Sequence, residues 1–280
     1  MNLPRGHDSG KNQPYGASFR HDGIQLFGLG AGVLPRWPEA GRILVALCTA
    51  FRHGGIGYDV SCGSAGRLGC RWADATPDRF RFCVKTPKAI THEGSLDHRI
   101  KEMREFLAVM RAFGLKLAVV LIQLPPSCHI DQFEALERLL KQLPDDVRFA
   151  VEFRNASWGQ QRTLDLLREH RCALVTAEYQ TRPSRIRVTT DLLYIRWIGE
   201  HERFEELNHE QVDMGPQLEW WRGEVSRVMA AERIENVWGF FNNDYAGYAI
   251  ATCRRFMRIM GLAIQEDAEG AREEQGNLFG

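Results

Sequence analysis

The chain has 280 residues, 44% hydrophobic and 26% charged, which suits one large globular domain and excludes a fibrous or wholly disordered chain. Lys and Arg number 36 and so do Asp and Glu, so no global basic field draws the protein to nucleic acid or to an anionic membrane. No apolar run approaches the roughly 18 residues of a membrane span, and the N-terminus lacks a leader pattern. A cytoplasmic protein with no membrane partner is therefore expected. Seven cysteines without CxxC pairs suit reduced thiols.

The chain divides by composition. Residues 1–70 hold 14 of the 26 glycines but only 4 of the 36 acidic residues, and they show little periodic order. The GLGAG run from Gly28 to Gly32 lacks the full GxGxxG pattern, a preceding strand and a following helix, so it does not make a nucleotide site. From Trp72 onward, apolar runs alternate with amphipathic stretches. The pattern predicts strand 80–85, helix 97–113, strand 117–124, helix 131–142 and strand 147–153. It continues with helix 160–170, strands 172–178 and 192–198, helix 217–232, strand 236–242 and helix 246–260. Strands separated by helices imply an α/β protein with a parallel sheet, and the length suits a TIM-type (β/α) barrel. Two βα units are missing, and residues 1–71 are about the size they would need. The predicted organisation is an anomalous, poorly ordered segment 1–71, a barrel domain 72–264 and a disordered polar tail 265–280.

Barrel enzymes place reactive groups at strand C-terminal ends. In the strand 147–153, Val147, Phe149, Val151 and Phe153 form an apolar outward face, which leaves Arg148, Ala150, Glu152 and Arg154 facing inward. The same alternation puts Arg81, Cys83 and Lys85 inward, with Lys85 at its strand end. Gln123, Glu178, Arg196 and Asn242 or Asn243 end theirs similarly. Lys85, Arg154 and Arg196 offer cationic groups for a phosphate or carboxylate, with Gln123, Glu178, Asn242 and Asn243 as further binding groups. Glu152 is a candidate general base, with Lys85 and His92 beside it in the catalytic set. The competing account is an internal salt-bridge network centred on Glu152. His92 competes as a capping residue, Asn242 and Asn243 as turn formers, and Trp158 and the pair Trp220 and Trp221 as packing residues. The nine histidines are scattered, with neither HExxH nor zinc-ribbon cysteines, so neither a metal nor any other cofactor is expected. Cys83, Cys172 and Cys253 read as inert core thiols.

The run WADATPDRFRFCVKTPKAITHEGSL from Trp72 to Leu96 resembles the domain-of-unknown-function 72 (YecE-like) family. LIQLPPS at 121–127, VEFRNASW at 151–158, YIRWIG at 194–199 and FFNNDYAGYA at 240–249 agree with it in order, over residues 72 to about 262. The resemblance implies a TIM-type barrel of unestablished activity. Residues 1–71 lack the family's strands resembling GTMGFSY and FDTVEIDSTFHAIP. Back-translation of Ala46 to Ser64 with permitted codons, read one base later, gives HYARHFDTVESDTTFHAV; Arg20 to Leu29 can likewise give GTMGFSYSDW, and Val33 to Pro35 FYP. Residues from about 20 to 70 therefore read as an out-of-frame version of the family's N-terminal part, with a divergent extension as the alternative.

The tail ends on Gln275, Leu278 and Phe279, which resemble the short QxxLF-type peptide that docks on the bacterial DNA sliding clamp. Two functions follow as expectations. One is a barrel enzyme acting on a small anionic ligand; the other is a non-catalytic adaptor in nucleic-acid metabolism bound to the sliding clamp.

Overall fold

The computed structural model describes residues 73–74, 81–179 and 185–262, together with the backbone of 42–44 and 47–49. Its strands are β1 Arg42–Leu44, β2 Leu47–Thr49, β3 Phe82–Lys85, β4 Leu117–Gln123, β5 Phe149–Glu152, β6 Cys172–Glu178, β7 Leu192–Trp197 and β8 Asn236–Phe241. The helices are α1 Lys88–Thr91, α2 Ile100–Met110, α3 Phe133–Leu140, α4 Gln161–Glu169, α5 Gly215–Ala231, α6 Asn243–Ala246 and α7 Ala249–Ile259. Strands β3 to β8 lie side by side in chain order, all parallel, as a curled six-stranded sheet. Parallel neighbours need a crossover, and α2, α3, α4 and α5 lie in the crossovers between β3 and β4, β4 and β5, β5 and β6, and β7 and β8.

The two faces of the sheet pack differently. Phe82, Val84, Val120, Ile122, Phe149 and Val151 join the helical layer through Met103, Phe106, Leu136 and Leu139. Leu193, Ile195, Trp197 and Val237 do the same against Leu218, Trp221, Val225 and Phe256. Their alternate neighbours Cys83, Val119, Leu121, Ala150, Ala173, Val175, Tyr194 and Trp238 form a separate cluster on the concave face. This is the period-2 segregation predicted for Val147, Phe149 and Val151 against Ala150 and Glu152. Both faces of a parallel sheet are covered, which explains unbroken apolar runs such as LAVVLIQ.

Within residues 1–71, β1 pairs in parallel with β8 and β2 with β3, at the outer edges of the six-stranded sheet. Each is three residues long as described, shorter than a typical strand. The described fold is α/β with a curled parallel sheet. Elsewhere two predicted helices are subdivided. The segment predicted as helix 97–113 is a 3-10 turn, then α2, then a second 3-10 stretch broken at Gly114, whose φ is +53°. The predicted helix 246–260 separates into α6 and α7 at Gly247, where φ is +102°.

Candidate functional site

The centre of the concave face is a buried charge cluster at the C-terminal ends of the strands. Glu152 closes β5 with its side chain only 1% exposed. Arg154, two residues on and therefore on the same face, donates through Nε to Glu152 Oε1 at 3.1 Å. Arg196 comes from β7 and donates through Nη1 to Glu152 Oε2. Strand β6 lies between them, and its residue in register with Arg196 is Ala177. A single methyl group at that position lets the long guanidinium cross to Glu152. The Tyr179 hydroxyl, just beyond the end of β6, donates to Glu152 Oε1, and its ring lies 5.0 Å from the Arg154 guanidinium carbon.

The electrostatics follow from this geometry. Burial pushes the Glu152 carboxyl up, but the charges of Arg196 and Arg154 and the bonds from Tyr179 and Arg196 outweigh it and hold it at about 2. Burial, then the neighbouring carboxylate, raises the Tyr179 phenol above its ordinary range. The carboxylate is saturated with donors. By contrast, Arg154 keeps 29% of its side chain exposed, and its Nη groups donate no hydrogen bond to the described residues.

The other predicted residues fall into three groups. Gln123 is buried on β4 directly in register with Glu152, and Lys85 ends β3 on the same face, so both share the rim with the cluster. Asn242 and Asn243 hold the chain: Asn242 Oδ1 accepts from the Asp244 amide at 3.4 Å, and Asn243 Oδ1 from the Ala249 amide at 2.8 Å. His92 caps α1 through its amide and has Nδ1 2.7 Å from Thr91 Oγ1. Glu178 is turned away from the other strand-end groups. Its alternation in β6 puts it on the helix side, where Trp221 donates to Oε2 and Tyr245 to Oε1 at 3.3 Å. Burial raises its carboxyl above the ordinary value despite those two bonds.

Tyr179 is the member that strand-end reasoning missed. Continuing the alternation one residue past Glu178 marks it as inward-facing. Trp158 packs on Phe153 with centroids 4.6 Å apart and donates to the Cys128 carbonyl at 2.8 Å, a rim-packing role. Gln275, Leu278 and Phe279 lie outside the described residues. Among the described residues, no three His, Cys, Asp or Glu side chains gather as a metal site, and no helix is long and apolar enough to cross a membrane.

Relatives share this architecture without supplying a reaction. The family described as "Protein of unknown function DUF72" matches residues 68–275. The UPF0759 protein YecE of Escherichia coli K12 is 34% identical over 85 residues, 30% of this chain and 31% of YecE, so the match spans about a third of that relative. A crystal structure of a DUF72 family protein from Thermotoga maritima superposes with a TM-score of 0.58 at 25% identity, covering 79% of this chain and 85% of that one. One from Enterococcus faecalis gives 0.57 at 20% identity, covering 71% and 85%. With a family match over residues 68–275, most of its length, the chain belongs to the DUF72 family.

Proposed function

We propose that the protein binds a small anion, a phosphate or carboxylate, at the C-terminal rim of its curled sheet. The observation that carries this is Arg154: the buried Glu152 fixes its Nε, its guanidinium lies over the Tyr179 ring, and its side chain keeps 29% exposure with no Nη hydrogen bond to the described residues. A guanidinium held in this way loses little side-chain freedom on gripping two oxygens. Lys85 and Gln123 flank the same rim, and Arg196 lies deeper, so the supporting field is cationic near the ligand.

Glu152 acts here as the counter-ion that positions both arginines. A carboxyl held at about 2 makes a weak general base at neutral pH, because proton transfer is best served by a group titrating near the working pH. If the anion is also processed, the residues to vary are Lys85 and His92. Isothermal titration of the full chain with inorganic phosphate tests the binding claim. Arg154→Gln should weaken binding at least tenfold and flatten its salt dependence; equal affinity in both proteins ends the claim.

A second reading, favoured by the Gln275, Leu278 and Phe279 spacing, is docking on the sliding clamp. Burying two large apolar side chains against the cost of ordering a segment supports micromolar binding. Replacing Leu278 and Phe279 with Ala should abolish clamp binding by the full chain and leave phosphate affinity intact. The N-terminal departure fits a third element of the reading, an out-of-frame segment over about 20–70, since the family match starts at residue 68.

A further inference from the structure

We propose, resting on the anion-site reading above, that the ligand carries its anionic group on a flat aromatic ring, and that Phe240 receives the ring. Arg196 has two register neighbours on the concave face, Ala177 on β6 and Phe240 on β8. They differ sharply in size. Phe240 is only partly buried, unlike the residues of the floor, and stands next to Arg196. Its inner side stacks on Tyr194, with centroids 4.8 Å apart and planes at 24°. Tyr194 and Trp238, the concave-facing residues two positions earlier on β7 and β8, are 1% and 4% exposed and close the floor.

The concave face therefore has two unlike walls. On β7 and β8 it is aromatic from the floor at Trp238 and Tyr194 up to Phe240. On β6 the residue level with Tyr194 is Val175 and the one level with Arg196 and Phe240 is Ala177, so aliphatic and smaller side chains stand across from the rings. The charged rim sits above the small residues, with Arg154 reaching from β5 and Arg196 from β7. A bare phosphate engages the rim and leaves the Phe240 face in water. An aryl group attached to it extends the Tyr194 and Phe240 stack in the offset geometry that aromatic pairs favour, while its anion remains at Arg154. The same placement discriminates against a puckered ring of similar size, which buries apolar area without stacking.

Calorimetric titration of the full chain with inorganic phosphate, phenyl phosphate and cyclohexyl phosphate tests this. Phenyl phosphate should bind about tenfold more tightly than phosphate, with cyclohexyl phosphate between them. Phe240→Leu keeps an apolar side chain of similar reach and should bring the affinities for phenyl and cyclohexyl phosphate together; Phe240→Ala should do so with a larger loss. Phosphate binding with no preference for the phenyl ester overturns the ring inference and leaves the anion site standing. A phenyl preference that survives Phe240→Leu places the ring elsewhere and also overturns it. If the wild-type chain binds none of the three, the anion site and the ring inference fall together.

Discussion

Glu152 has been taken out of water beside two guanidiniums, and the arithmetic of that exchange makes specific demands. A buried ion pair is weak as a source of net stability, because desolvation offsets most of the attraction, but removing one partner strands the other. Arg196 is itself 4% exposed, so Arg196→Met leaves the carboxylate with Arg154 and Tyr179 alone. The expected cost is roughly 3 to 5 kcal/mol in urea unfolding at pH 7. A loss below about 1 kcal/mol means the pair is effectively solvated. The pH dependence has a fixed sign. Glu152 titrates at about 2 in the folded chain against an ordinary 4.5, so its contribution is full above 4.5 and is lost as pH falls from there through about 2. That amounts to roughly 3 kcal/mol of acid sensitivity, which Glu152→Gln should remove. Alternation along VRFAVEFR was enough to find Glu152 and Arg154. It did not show that Glu152 is saturated by donors, since Arg196 and Tyr179 come from strands that sequence spacing does not bring together.

At the scale of elements, the position of Glu178 shows how parity decides chemistry. Strand β6 ends Ala177, Glu178, and only the first of these faces the arginines; the second is pressed between the sheet and α5, where Trp221 and Tyr245 meet it. Burial raises its carboxyl, so the protonated form fits the folded chain better. Its stabilising contribution is therefore present at acid pH and declines as pH rises through the raised value. Glu178→Gln keeps the acceptor for Trp221 and presents its amide to a phenol that can reorient, so it should be more stable than wild type at pH 8. The advantage should shrink toward pH 4, as read by thermal unfolding across that range. A variant less stable at every pH would show that the charged form matters there. Strand-end position alone put Glu178 with the cluster, and the period-2 rule applied within CALVTAE separates them. The strands were legible because apolar runs in parallel sheets are continuous, while the division of helix 246–260 depended on Gly247, whose positive φ no periodicity encodes.

For the whole molecule, the question is what covers the outer edges of the six-stranded sheet. Among the described residues, three of β1 pair with β8 and three of β2 with β3, and any sheet edge left open presents unpaired backbone groups that promote association. Composition marks residues 1–70 as anomalous, because glycine is concentrated and acid depleted within them. The shifted-frame reading of Ala46 to Ser64 supplies the alternation a strand needs, in FDTVESDTTFHAV, and the family match begins at residue 68, close to where that reading returns to the present frame. Sequencing the gene across codons 15 to 75 is the direct test, and a pair of compensating single-base changes near its two ends is the expected result. A chain made with the frame restored over about 20–70 should show full-length strands on both edges. It should also associate less than the present chain at equal concentration, and should melt at least 10 °C higher, since each added βα unit buries a further apolar face. Equal melting temperatures and equal association in the two chains would falsify the idea that this segment displaces two barrel units.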